Sequence, residues 1–255
     1  MKDKITNVIK EAGNIIINAG NIFENIESKQ GDDNFVTLYD KKVQEFLFDK
    51  LQKLFPDAEF IGEEDIDKES QAKVTSNLQF IIDPIDGTTN FIFGYQHSAI
   101  SVALMKNGEV IEGYVYNPFL DEMFSATKGQ GAYLNNKKIK VEDRSIKDGL
   151  ACFGTAPYYS EYIDKTMTMV RKLLENSLDI RRSGSAALDI CYVACNRVSV
   201  FAEYVLAPWD HAAAALILKE AGGTITNIDK NPLPYKGNTS VVAGNKLSYQ
   251  EFFKL

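Results

Sequence analysis

IIDPIDGTTNF, residues 81–91, decides how this chain is read. Behind Phe80, Ile81 and Ile82 continue an apolar run of the kind shown by a strand covered on both faces, so Asp83 leaves the sheet beside buried surroundings. Pro84 fixes the backbone and Asp86 turns back next to Asp83. Two carboxylates about 4 Å apart repel by about 4 kcal/mol at an effective dielectric of about 20, a cost that a folded chain usually offsets with a cation. Gly87, Thr88 and Thr89 then read as the entry to a short helix, where free backbone N–H groups and hydroxyls would hold an anion. A cation site abutting an anion site points to phosphate-ester chemistry.

Working outward, Ile5, Val8, Ile9, Ala12, Ile15, Ile16 and Ala19 recur at helical spacing, which predicts an amphipathic helix reaching to about residue 25. The polar stretch ESKQGDDN, residues 27–34, ends it. VTLYDKKVQEFLFDKLQKLFP, residues 36–56, repeats the helical period and stops at Pro56. From residue 58 the pattern changes to short apolar runs, and Asn107-Gly108 between two of them is a hairpin signal. A multistranded, largely antiparallel sheet is expected up to about residue 144. Beyond it, strands are expected near GLACFGT, DIRRS and VSVFAEYV, and helices near 158–176, 185–196 and 209–221. Helices, then sheet, then mixed elements make a layered α+β to α/β architecture. The N-terminal helices and sheet, about 1–144, and an α/β lobe, about 145–255, are read as one domain over 1–255.

The 255 residues and 45% hydrophobic content can fill a sizeable core. A net charge of −7 argues against direct nucleic-acid binding, because phosphate backbones demand clustered Lys and Arg. Cys152, Cys191 and Cys195 form an odd set without disulfide-framework spacing, which fits a reducing compartment. The N-terminus lacks the continuous apolar stretch of a signal peptide or a membrane span, so a cytoplasmic location is expected.

Four segments place acids at ends of regular structure: Asp40, then Glu63 with Glu64 and Asp65, then Asp83 with Asp86, then Asp210. Singly, each has an ordinary role, as a helix-start acid, a solvated turn or a turn former. Together they suit magnesium, which takes a few carboxylates and keeps waters for a substrate phosphate. His97 and His211 form no ligand pair with Cys or another His, which disfavours zinc. A two-metal arrangement accounts for the number of acids, one ion activating a water and the other stabilising the leaving oxygen. Ser185 has no His nearby in the chain and suits capping or anion contact better than nucleophilic attack.

Three motifs in order, GEED (62–65), DPIDGTTNF (83–91) and WDHAAAALILKEAGG (209–223), carry a resemblance to the inositol monophosphatase family of magnesium-dependent, lithium-sensitive phosphatases. It runs from the first helix to about residue 245. The resemblance implies a five-layer α/β/α/β/α sandwich, a homodimer, and two or three Mg²⁺ per active site. Glu63, Asp83, the carbonyl of Ile85, Asp86 and Asp210 match the metal ligands, with Glu63 and Asp83 on the first ion, Asp86 bridging and Asp210 on the second. Glu63, Thr88 and Asp40 match the catalytic positions, the latter two orienting the attacking water. Asp86, Gly87, Thr88, Gly184, Ser185, Ala186, Glu203 and Asp210 match the substrate contacts.

Phe80 where Trp is common, Asp65 where Ser is frequent, and the missing glycine in DHAAAA are departures that touch no ligand. The implied substrate is inositol 1-phosphate or a similar small polyol phosphate monoester. Fructose 1,6-bisphosphate, NADP and histidinol phosphate stay open, while Thr89-Asn90 leads away from 3′-phosphoadenosine 5′-phosphate. Arg181 or Arg182 could hold a second phosphate. A reading of another class is an RNA-polymerase-associated regulatory binding protein, as some bacterial relatives are.

Overall fold

The computed structural model describes residues 2–20, 22, 26–28, 35–65 and 77–255. In chain order the elements are α1 (Lys2–Ile17), β1 (Ile26–Ser28), β2 (Phe35–Thr37), α2 (Leu38–Leu54), β3 (Glu59–Gly62), β4 (Leu78–Asp86), α3 (Thr88–Ile92), β5 (Ala99–Lys106), β6 (Glu109–Asn117), β7 (Glu122–Thr127), β8 (Ala132–Leu134) and β9 (Lys137–Ile139). There follow β10 (Leu150–Phe153), α4 (Ile163–Asn176), β11 (Asp179–Arg181), α5 (Ala186–Ala194), β12 (Val200–Leu206), α6 (Pro208–Glu220), β13 (Thr224–Thr226), β14 (Thr239–Gly244) and α7 (Lys246–Phe252).

Strand alternation sorts side chains into separate cores. Along β4, Phe80 and Ile82 pack with α1 and α2, whereas Ile81 packs on the opposite face with α5 and α6. Along β12, Phe201 faces α5 and α6, while Val200 and Ala202 face α4 and α7. The layers therefore run α1/α2, a seven-stranded sheet, α5/α6, a five-stranded sheet, α4/α7. This is the expected five-layer sandwich.

The larger sheet has the order β3-β4-β5-β6-β7-β8-β9 and is antiparallel except for β3 against β4. Asn107 (φ 52°) and Gly108 (φ 81°) turn β5 into β6, as the dipeptide predicts. In the smaller sheet, ordered β11-β10-β12-β14-β13, β10 lies parallel to both neighbours and β14 antiparallel to both of its own.

The middle layer explains the alanine run. α6 lies between two sheets, and Ala212 to Ala215 are all fully buried. Small side chains let it approach so closely that a Cβ at Gly113 of β6 would lie 2.6 Å from the Ala213 carbonyl oxygen. A helix apolar on every side is what such a site requires.

One expectation is corrected. The first helix ends at Ile17, not near residue 25. The Asn18 amide donates to the Asn14 carbonyl (2.7 Å), and the Tyr39 hydroxyl of α2 takes both backbone groups of Gly20, accepting from its N–H (2.9 Å) and donating to its carbonyl (2.7 Å). A partner distant in sequence thus satisfies groups that would otherwise continue the helix. Residues 23–25, and 29–34 of the polar stretch, lie outside the described residues. The three cysteines are free. Among the described residues, no helix is long and apolar enough to cross a membrane.

Candidate active site

A plain strand points residues three apart to opposite faces, so Asp83 and Asp86 could not share one site in regular β structure. The ladder with β5 shows how they do. Asp83 pairs with Ser101 and Asp86 with Ala99, so Pro84 and Ile85 together face only Ile100. This bulge adds one residue and resets the parity. Ile82 and Ile85 both enter the α1/α2 core, and both acids point the other way. Pro84 is tolerated because the bulge is where the ladder asks for no N–H. The Ile85 N–H bonds the Asp83 carboxylate instead (3.0 Å).

β12 carries a second bulge. Glu203 pairs with Val241 and Leu206 with Thr239, leaving Tyr204 and Val205 against Ser240. α6 then begins at cap residue Ala207, with Pro208 in its first position and Asp210 accepting the Ala207 N–H (2.7 Å). Ser101, the partner of Asp83, donates to the Trp209 carbonyl (3.0 Å) and ties this helix start to the larger sheet. One oxygen each from Asp83, Asp86 and Asp210 consequently lie within 4.8 Å of one another.

Their electrostatics is that of acids lacking a counter-ion. Burial pushes the Asp83 carboxyl well above its ordinary range, and the charges of Glu63, Asp86, Asp210 and Asp40 push it further. Burial, then Asp86 and Glu63, do the same to Asp210. Asp86 is raised by burial only to about 6, because the Ser185 hydroxyl and the Ala187 N–H (2.8 Å) bond its carboxylate. An all-oxygen, buried, mutually repelling donor set fits a hard divalent cation. Glu63, in the single 3₁₀ turn after β3, stands outside the trio, although its charge reaches all three.

Asp40 and Thr88 meet from different layers. Asp40 sits in the first turn of α2, where Thr37 and Asp40 form a capping box. The Thr88 hydroxyl lies 3.2 Å from the Asp40 carboxylate and 3.1 Å from the Ile85 carbonyl. Its single proton serves one of them at a time. Asp40 stands behind Thr88, away from the cleft wall.

Two glycine turns abut beside these groups. Gly87 (φ 92°) and Gly184 (φ 89°) both need the left-handed region, and a Cβ at Gly87 would lie 2.9 Å from the Gly184 carbonyl oxygen. Asn90 locks them by donating to the carbonyls of His97 (2.7 Å) and Ser183 (2.8 Å). Ser185 caps α5 by accepting the Leu188 N–H (3.3 Å) while donating to Asp86, which agrees with capping over nucleophilic attack.

Glu203 packs over Gly154, whose missing side chain leaves it room, and accepts the Ala156 N–H (2.9 Å). Burial raises it to about 7, against the pull of that bond and of Arg182. Every residue expected to contact metal or substrate lines one cleft of about 960 Å³. The arginine pair separates: Arg181 pairs with Asp179, whereas Arg182 lines the cleft and meets the Thr155 hydroxyl at 3.4 Å.

Sequence reasoning missed three groups. Asp189 is 2% exposed in α5, accepts the Ser183 hydroxyl (2.7 Å), and is raised by burial to about 8. An acid inside the apolar run SAALDICYVA was the available signal. Asn90 and Gln44 gave none, since Ser183 and the 63–65 turn that they hold are distant from them in sequence.

A model of the inositol monophosphatase family matches residues 2–254. The Nus factor SuhB of Escherichia coli strain K12 is 37% identical over 238 residues, covering 92% of this chain and 88% of its own. The inositol-1-monophosphatase of Bacillus subtilis strain 168 is 33% identical over 246 residues, covering 96% and 92%. The crystal structure of the extragenic suppressor protein suhB from Bartonella henselae superposes with a TM-score of 0.89 at 30% identity, over 99% of this chain and 96% of that one.

Proposed function

The chain belongs to the inositol monophosphatase family, and from that premise we propose that it is a Mg²⁺-dependent phosphomonoesterase acting on inositol 1-phosphate or a similar small polyol phosphate. The observation that carries this reading is the convergence of Asp83, Asp86 and Asp210 within 4.8 Å. Asp83, Asp86, Asp210, Glu63 and the Ile85 carbonyl would hold the cations, which is why Asp83, Asp86 and Asp210 sit above their ordinary proton affinities without them. When bound, magnesium supplies the charge that activates a water and steadies the departing alkoxide.

The rest belongs to the chain. The Thr88 hydroxyl, backed by Asp40, accepts a hydrogen bond from the attacking water and holds it in line with phosphorus. The backbone N–H groups of Gly87 and Thr88 hold phosphate oxygens. Water adds to phosphorus and gives up one proton to solvent, the bond to the alcohol oxygen breaks, and that oxygen leaves with a proton drawn from solvent. Ser185 keeps Asp86 in place, and Glu203 accepts hydrogen bonds from hydroxyls of the polyol. We assign this chemistry to one domain, acting as a homodimer in the cytoplasm.

Asp83→Asn is the direct test. It is expected to abolish Mg²⁺-dependent phosphate release from inositol 1-phosphate, and retained activity would contradict the reading. A substrate panel compared by kcat/KM ranks inositol 1-phosphate against fructose 1,6-bisphosphate, NADP and histidinol phosphate. Arg182 in the cleft is the observation that keeps substrates with a second phosphate in that panel. The name Nus factor carried by the Escherichia coli relative supports a second reading, a regulatory binding role. A cellular phenotype that survives in the Asp83→Asn strain would favour it.

A further inference from the structure

Glu63 differs from the other proposed ligands in its support. Asp83 and Asp86 sit in an interior strand and Asp210 opens a buried helix, but Glu63 sits in a turn of three residues at the sheet edge, since β3 is the terminal strand. A ligand on such a turn needs an external anchor, because metal affinity depends on how well its ligands are held before the ion arrives.

Gln44 occupies the anchoring position. It lies one helical turn beyond Asp40 on α2 and is 5% exposed. Its amide spans the turn: the carbonyl oxygen accepts the Glu64 N–H (3.1 Å), and the nitrogen donates to the Asp65 carboxylate (3.1 Å). These residues are the two that follow Glu63. On the near side, Gly62 leaves the space that the amide fills, for a Cβ there would collide with it. One face of α2 therefore reaches both halves of the site, Asp40 bonding Thr88 and Gln44 gripping the turn that carries Glu63.

We infer that Gln44 is a positioning residue that holds Glu63 in place for the metal. It touches neither metal nor substrate and acts only through the turn of residues 63–65. The inference rests on Glu63 being a metal ligand, so its test must separate the two statements.

The test is Mg²⁺ titrated by calorimetry into the metal-free protein, for the wild type, Gln44→Met, Glu63→Gln and the double variant. Met matches the length and burial of Gln and removes both hydrogen bonds. Gln44→Met is expected to weaken Mg²⁺ by about 10-fold or more, the usual scale for groups that orient ligands. In the Glu63→Gln background the same change should cost about 2-fold or less, because a residue acting through Glu63 has nothing left to position. Gly62→Ala, which pushes the amide aside from its other flank, should reproduce the loss, and it serves in place of Gln44→Met should that variant not fold by circular dichroism.

Unchanged affinity in Gln44→Met or Gly62→Ala, alongside a loss in Glu63→Gln, overturns the inference and leaves the ligand assignment standing. So does a full multiplicative loss in the double variant. Unchanged Mg²⁺ binding in Glu63→Gln overturns the assignment of Glu63, and this inference with it.

Discussion

The two strand-to-helix junctions of the site, β4 into α3 and β12 into α6, solve one problem in different ways. Each lies at an interior strand of its own sheet, and each uses a bulge that puts residues three apart on the same face. In β4 the proline sits inside the bulge, the acids stay in the strand, and the following helix starts at left-handed Gly87 with no side-chain cap. In β12 the proline moves into the first position of the helix, and Asp210 caps that helix with one oxygen. Acids on a strand are fixed by the sheet and leave the next helix start open to an anion. An acid on a helix start must divide itself between structure and function.

The largest effect that could break this comparison is expected at Asp210. Asp210→Asn keeps an oxygen for the Ala207 N–H and loses the charge, so activity should fall on the order of a thousandfold, equivalent to about 4 kcal/mol of barrier, with the metal-free fold intact. Asp210→Ala should lose the same activity and also destabilise the helix start by about 1 kcal/mol, read from denaturant midpoints. Equal stability of the two variants would show that the cap contributes nothing.

Next comes pH. Asp86 at about 6, Glu203 at about 7 and Asp189 at about 8 are all raised by burial, so between their unfolded and folded values the native state binds more protons. Stability from such groups is complete below about pH 4 and is lost as the pH rises through the folded values. The melting temperature of metal-free protein should therefore drop between about pH 5 and pH 8 by at least a few degrees, since about 1 kcal/mol moves it by about 2–4 °C in a chain of this size. Saturating Mg²⁺ should remove the share of that slope owed to Asp86, where a cation then replaces the proton, and leave the shares of Glu203 and Asp189. Melting curves with a chelator and with Mg²⁺ check both statements.

The smallest contrast lies at the two helix caps. Gly87→Ala forces a left-handed alanine against the Gly184 carbonyl, a backbone neighbour that cannot swing aside, and should cost about 1–2 kcal/mol. Ala207, in extended geometry (φ −82°, ψ 163°), needs no such freedom. Ala207→Ser should change stability by about 0.5 kcal/mol or less. Denaturant titrations of the pair sharpen or erase the distinction between an open helix start and a capped one.

What the sequence made legible was local. Periodicity located α2, α4, α5 and α6, Asn107-Gly108 located its hairpin, and the ends of regular elements located every acid of the trio. What stayed hidden depended on partners distant in the chain. The bulge parity that turns Asp86 toward Asp83 is a property of pairing with β5, and the early end of α1 depends on the hydroxyl of Tyr39. The difference between Arg181 and Arg182 is likewise one of facing, since one pairs with Asp179 at the surface and the other lines the cleft. Gln44 looks like any helix polar residue until β3 brings the 63–65 turn against it.

In the metal-free protein the mutually repelling carboxylates of β4 and of the α6 start hold protons until divalent cations displace them. Mg²⁺ titrated into metal-free protein near neutral pH, in buffers of differing ionisation enthalpy, measures that exchange. Uptake of the ion with net release of protons is expected, with an affinity that rises with pH. Uptake without proton release, or no uptake, would contradict it.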